Sequence, residues 1–142
     1  MIGYFDTSAV IPLLLAEPAS VRCTKLWEEC DTKVSSTFLV AEAYAALGQA
    51  HRMGRLGDGE YVRCSKALRS RLRKVAMASA DRVICDRAGA IAAVYGLRGA
   101  DAVHAASVEA VSGTDTVFIS GDRKLLETAS KLGVRVADIG DV

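Results

Sequence analysis

Met1-Ile2-Gly3-Tyr4-Phe5-Asp6-Thr7-Ser8 opens the chain, and its reading decides the fold. Residues 2–5 are apolar and rich in β-formers, whereas Asp6-Thr7-Ser8 is the chemistry that caps a helix. A strand passing straight into a helix is the first step of a β-α unit, and the same step recurs along the chain. Further strands are predicted at 33–37, 116–119 and 134–136. Helices are predicted at 8–15, 18–30, 38–53, 61–77, 81–95, 101–111 and 122–132. Pro18 suits the start of its helix, residues 54–59 break the helical pattern, and Gly133 suits a C-cap. The helix at 101–111 is apolar nearly all round, as expected of one covered on both sides. Strands alternating with helices predict an α/β fold: a three-layer α/β/α arrangement around a central, mainly parallel sheet.

Bulk composition sets the outer limits. At 142 residues, 51% hydrophobic and 25% charged with two prolines, the chain is globular and not disordered. A chain of this size buries roughly two-thirds of its extended surface. With no repeat, linker or low-complexity segment, one domain is expected to span 1–142. The apolar run 9–16 is interrupted by Pro12 and is too short to cross a bilayer. No basic segment precedes it and no cleavage site follows, so neither a signal peptide nor membrane attachment is expected. Cys23, Cys30, Cys64 and Cys85 lack metal-site spacing and read as reduced thiols, which places the protein in the cytoplasm.

Net charge is +1, so nothing in the total announces nucleic acid. The distribution says more. Between His51 and Arg82 stand nine Arg or Lys (52, 55, 63, 66, 69, 71, 73, 74, 82) against three acids (58, 60, 81). Within the amphipathic helix predicted at 61–77, Tyr61, Ser65, Leu68, Leu72 and Val75 share one stripe. Arg63, Lys66, Arg69, Ser70, Arg73 and Lys74 mostly take the other side. That side is either a solvated face or a wall that tracks a phosphate backbone without reading its sequence.

Four acids stand where the chain changes direction: Asp6, Glu42, Asp101 and Asp122, each beside apolar sequence. Buried carboxylates are rare unless paired, protonated or bound to a cation. Two unit charges ~4 Å apart repel by about 4 kcal/mol at an effective dielectric of ~20, so a gathered quartet calls for a hard divalent ion. Asp6 and Asp122 follow the strands at 2–5 and 116–119, and parallel sheets place ligand sites at such ends. The alternative for Asp6, Asp101 and Asp122 is helix capping; for Glu42 it is a solvated helix face. His104 lies one turn after Asp101 on the same face, where it either moves protons or packs and hydrogen-bonds locally, the latter being the expectation.

In order, Phe5-Asp6-Thr7-Ser8, Glu42, Arg98-Gly99-Ala100-Asp101-Ala102-Val103-His104-Ala105-Ala106 and Ser120-Gly121-Asp122 resemble the PIN-domain nucleases, and most of all the VapC toxins of bacterial and archaeal type II toxin–antitoxin pairs. The resemblance covers essentially the whole chain, with Asp-Ala-Val-His-Ala-Ala its most specific piece. It implies that Asp6, Glu42, Asp101 and Asp122 hold Mg²⁺ or Mn²⁺, supported by the hydroxyls of Ser8 and Ser120. Gly121 departs from the family pattern and is expected to loosen Asp122. The implied activity is metal-dependent hydrolysis of RNA, with a cognate antitoxin as restraint and a homodimer built on residues 10–15 and 40–47. Arg98, Arg123 and Lys124 are the candidate substrate contacts. Alternatives are a stand-alone PIN nuclease in RNA processing and a non-catalytic binding module. An aspartate-nucleophile phosphatase is a further class, for which Ser8 stands where a second Asp is required.

Overall fold

The computed structural model describes residues 1–140. Strand β1 (Ile2–Phe5) lies at the centre of a sheet, flanked in parallel by β2 (Thr32–Ser36) and β4 (Thr116–Ser120). Strand β3 (Val75–Ala78) lies outside β2, and β5 (Arg135–Asp138) outside β4. The order is β3-β2-β1-β4-β5, and every pairing is parallel. Ile2 stands opposite Thr32 and Thr116, and Tyr4 opposite Val34 and Phe118.

Helices α1 (Thr7–Val10), α2 (Ser20–Glu29), α3 (Phe38–Arg52) and α4 (Asp58–Leu72) pack with Phe5 and Ile119 in one core. Helices α5 (Arg82–Tyr95), α6 (Gly99–Val111) and α7 (Arg123–Lys131) pack with Tyr4 and Phe118 in the other. Adjacent residues of one strand thus serve opposite cores, which is the two-residue period of a strand buried on both faces. Tyr4 meets Phe118 edge-on at 5.4 Å, and Phe5 meets Trp27 at 5.1 Å. These are the expected three layers. Among the described residues no helix is long and apolar enough to cross a membrane.

Several boundaries differ from the sequence expectation. The helix expected at 61–77 starts earlier, at Asp58, and stops at Leu72; residues 75–78 form the edge strand β3. Val75 pairs with Lys33 and Ala78 with Ser36, so hydrogen bonds to β2 win over a helical continuation. The helix expected at 8–15 is α1 followed by a 3-10 turn at Ile11–Leu13, with Pro12 supplying no N–H. The helix expected from Pro18 begins at Ser20, after a turn in which the Glu17 N–H donates to Ser20 Oγ at 2.9 Å. Helix α6 begins at Gly99, so Asp101 lies inside its first turn and does not cap it.

Candidate functional site

From β1 the chain moves outward through β2 and β3, then returns to β4 on the other side. In a parallel sheet such a reversal opens a crevice at the carboxyl ends of the two strands on either side of it. Asp6 follows β1 and Ser120 ends β4, so both stand at that point. Asp6 is only 5% exposed. Its Oδ1 accepts from Ser8 Oγ at 2.7 Å and from the Ala9 N–H at 3.2 Å, and its Oδ2 accepts from Ser120 Oγ at 2.6 Å. Burial holds the Asp6 carboxyl above the usual carboxylate range, although the hydrogen bonds from Ser120, Ser8 and Ala9 oppose the shift. Ser8 and Ser120 therefore each donate directly to the Asp6 carboxylate.

Ser120 also ties in the fourth acid. Its Oγ accepts from the Asp122 N–H at 3.0 Å, while the Gly121 N–H donates to Ser8 Oγ at 2.8 Å. Gly121 has no positive φ, and a Cβ there would meet Ile139 and Ser8 at 3.4 and 3.6 Å, ordinary contacts. This glycine does not leave the turn untethered. Asp122 caps α7, its Oδ1 accepting from the Leu125 N–H at 3.1 Å. The capping alternative therefore describes part of what Asp6 and Asp122 do.

Glu42 reaches the crevice from the second turn of α3, between Ala41 and Ala43. Thr7 Oγ1 donates to its Oε1 at 2.8 Å, and His104 Nε2 meets the same oxygen at 2.5 Å. His104 is 2% exposed, and its Nδ1 lies 2.9 Å from Tyr4 Oη. Asp101, one turn earlier on α6, receives Arg98 Nε on Oδ2 at 3.2 Å. Arg98 is 84% exposed, and an exposed pair of this kind contributes little and releases readily. Lys124 is committed elsewhere: its Nζ donates to the Gly96 carbonyl at 2.7 Å, closing the end of α5. Arg123, at the start of α7, is exposed.

Asp6 and Asp122 are thus linked through Ser120, whereas Glu42 is tied to Thr7 and His104, and Asp101 to Arg98. Among the described residues, no three His, Cys, Asp or Glu side chains stand close enough together to hold one ion. The donor set nevertheless has the chemistry of a hard cation, consisting of carboxylates and hydroxyls without sulfur. Glu42, Asp101 and Asp122 each take protein hydrogen bonds on a single oxygen, which leaves Glu42 Oε2, Asp101 Oδ1 and Asp122 Oδ2 without a protein donor among the described residues.

The sequence favours a His104 that packs and hydrogen-bonds locally over one that moves protons, and it does not single out Thr7 or Tyr4 as partners of the site. His104 does pack, but it also touches Glu42, 62 positions away. Its place three residues after Asp101 was the only local signal.

The PIN domain family model matches residues 3–131. This chain belongs to the PIN domain family. Among PIN-domain relatives, ribonuclease VapC45 of Mycobacterium tuberculosis (strain CDC 1551 / Oshkosh) is 35% identical over 134 residues, covering 94% of this chain and 93% of that protein. Ribonuclease VapC49 of M. tuberculosis (strain ATCC 25618 / H37Rv) matches with the same identity and coverage. The structure of PAE2754 from Pyrobaculum aerophilum superposes with a TM-score of 0.71 at 21% identity, over 96% of this chain and 83% of that one. FitAcB from Neisseria gonorrhoeae does so with a TM-score of 0.72 at 18% identity, over the full length of both. These superpositions establish the PIN fold.

Proposed function

We propose that this protein is a divalent-metal-dependent endoribonuclease, the toxin of a toxin–antitoxin pair. The observation that carries the reading is the buried carboxylate of Asp6 at the β1/β4 crevice of a PIN domain whose relatives are named ribonucleases. There, buried Asp6 is fixed by Ser8 and Ser120, Ser120 also takes the Asp122 N–H, Glu42 is held by Thr7 and His104, and Asp101 pairs with Arg98. Asp6, Glu42, Asp101 and Asp122 would hold Mg²⁺ or Mn²⁺. Bound there, the cation lowers the pKa of a water and offsets charge on the phosphoryl oxygens in the transition state.

The chain's own residues position the reaction. Ser8 and Ser120 hold both oxygens of Asp6, and Thr7 fixes Glu42. Arg98 is free to leave Asp101 for an RNA phosphate, since its present pairing is exposed. Arg123 lies beside Asp122 and is the second candidate for a phosphate, whereas Lys124 contributes to the rim only by leaving Gly96. Along α4, the exposed Arg63, Lys66 and Arg69, with Arg73 and Lys74 just beyond it, make no ion pair among the described residues. Such a row suits a flexible RNA backbone.

The antitoxin reading has its own support. The chain resembles the fold of a toxin–antitoxin complex from Klebsiella pneumoniae, with a TM-score of 0.65 at 17% identity. A groove between the 3-10 turn and α4, lined by Leu13, Leu14, Glu60, Arg63, Cys64 and Ala67, offers a partner's tail both apolar and charged contacts. A homodimer would use the exposed Val40 and Tyr44 of α3. The cytoplasm is the compartment in which such a protein meets its RNA.

A second reading, a binding module whose acids only cap helices, draws on the caps made by Asp6 and Asp122. Calorimetric titration with Mn²⁺ separates the two. The nuclease reading expects one-to-one or higher uptake that weakens in Asp101→Asn, a residue that caps nothing. A capping module takes up no Mn²⁺, and that result overturns the proposal.

A further inference from the structure

We infer that His104 is a positioning residue that aims Glu42 at the cation, held in the required tautomer by Tyr4. The inference rests on the metal reading above and extends it to the buried contacts behind Glu42. Two donors, Thr7 Oγ1 and His104 Nε2, converge on one oxygen of Glu42 at 2.8 and 2.5 Å. Its other oxygen, Oε2, meets no protein donor among the described residues. A carboxylate pinned through one oxygen by two donors on different elements, α1 and α6, cannot rotate freely. Its second oxygen therefore points in a fixed direction. That is the arrangement in which outer groups orient a ligand, more often seen where a carboxylate fixes a metal-bound histidine.

Hydrogen-bond logic sets the tautomer. An ionised Glu42 can only accept, so Nε2 carries a proton. With its proton on Nε2 the neutral ring can only accept at Nδ1, so the buried Tyr4 hydroxyl, 2.9 Å away, donates to it. Tyr4 and Phe38 flank the imidazole at ring centroids of 5.8 and 6.3 Å, which limits how far it can tilt. Tyr4 belongs to β1, two residues before Asp6. One strand therefore presents the first acid directly and, through Tyr4 and His104, sets the direction of the second.

The test uses two amides of different reach. Asn at 104 places its amide near the Nδ1 position, within reach of Tyr4 but short of Glu42. Gln extends to the Nε2 position and can still donate to Oε1. Mn²⁺ affinity is measured by calorimetry on the intact protein at one pH, with melting temperature recorded alongside. His104→Asn should weaken Mn²⁺ binding by about 10–100-fold, the usual cost of losing an outer-shell partner, while His104→Gln stays within a few-fold of wild type. Tyr4→Phe keeps the histidine and the packing but removes the lock on the ring, and should weaken binding by a smaller factor, which keeps the proposal testable if His104→Asn fails to fold. A merely structural histidine predicts equal Mn²⁺ affinity in all folded variants, with changes in melting temperature alone; that outcome overturns the inference. If the wild type itself takes up no Mn²⁺, the metal reading of the site falls first and carries this inference with it.

Discussion

Asp6→Asn changes one buried atom and should separate the cost of the site from its use. Asp6 is 5% exposed and receives three donors, from Ser8, Ala9 and Ser120. Asn can still accept at Oδ1, and it caps a helix as well as Asp does. At the second position its amide nitrogen would face Ser120 Oγ, now 2.6 Å away, and that hydroxyl would have to turn and accept. Losing one hydrogen bond to a charged group costs about 1.5–3 kcal/mol. Removing a buried charge returns a desolvation penalty of several kcal/mol. The sign can be decided from the structure: the Asp6 carboxyl is raised even with all three donors in place, so the pocket as a whole disfavours the charge. Without metal, Asp6→Asn should therefore match the wild type or exceed it by on the order of 1 kcal/mol. In a domain of this size that is roughly 3–5 °C in melting temperature. With Mn²⁺ at a hundred times its dissociation constant, the wild type should gain about 2.7 kcal/mol and the variant markedly less. Differential scanning fluorimetry, with and without Mn²⁺, reads both quantities. A metal-free loss above about 2 kcal/mol would show that the carboxylate is structurally required by its hydrogen bonds. An equal Mn²⁺ response in both proteins would remove Asp6 from the site.

Three more expectations follow from the same geometry. Because the folded-state pKa of Asp6 is raised, its contribution to metal-free stability is fully present below the ordinary carboxylate value of 3.8 and is lost as pH rises through the folded value; subtracting the Asp6→Asn stability profile from that of the wild type should isolate this decline. Ser120→Ala removes the donor to Asp6 and the acceptor for the Asp122 N–H, so urea denaturation should show a loss of about 1–3 kcal/mol along with reduced cleavage. Replacing Lys66, Arg69 and Arg73 together by Ala should leave the crevice intact, weaken single-stranded RNA binding and lower the salt dependence of log K by about 2, as three lost phosphate contacts require; an unchanged slope in fluorescence anisotropy would assign that row to the solvated surface.

The parts of this fold that were legible in the sequence are those with local punctuation. The step from Phe5 to Asp6-Thr7-Ser8 marks the end of β1 and the cap of α1, and Asp81 and Gly96 bracket α5 as an N-cap and a left-handed C-cap. Strand β3 was missed because Val75-Ala76-Met77-Ala78 follows Arg73 and Lys74 with no Gly or Pro between, so the apolar stripe of α4 runs on into it without a break. Only pairing with β2, more than thirty residues earlier, decides its state. At the site, Asp6 and its hydroxyls were readable because Ser8 is local and Ser120 ends a strand. Lys124 was not, since its bond to Gly96 closes a helix that ends 28 residues before it. Nor was the relay through His104, which joins Tyr4 and Glu42 across separations of 100 and 62 residues. Long-range hydrogen bonds of this kind leave no periodicity in the chain.

The ends of the RNA products test the central claim most directly. Purified free of any partner, the chain should cut single-stranded RNA in Mg²⁺ or Mn²⁺, stop when EDTA is added, and leave 5′-phosphate and 3′-hydroxyl termini, as expected when water attacks the phosphorus. Cleavage that persists in EDTA and leaves cyclic phosphate termini would mean that the ribose hydroxyl is the nucleophile, and would contradict the assignment of Asp6, Glu42, Asp101 and Asp122 as cation ligands.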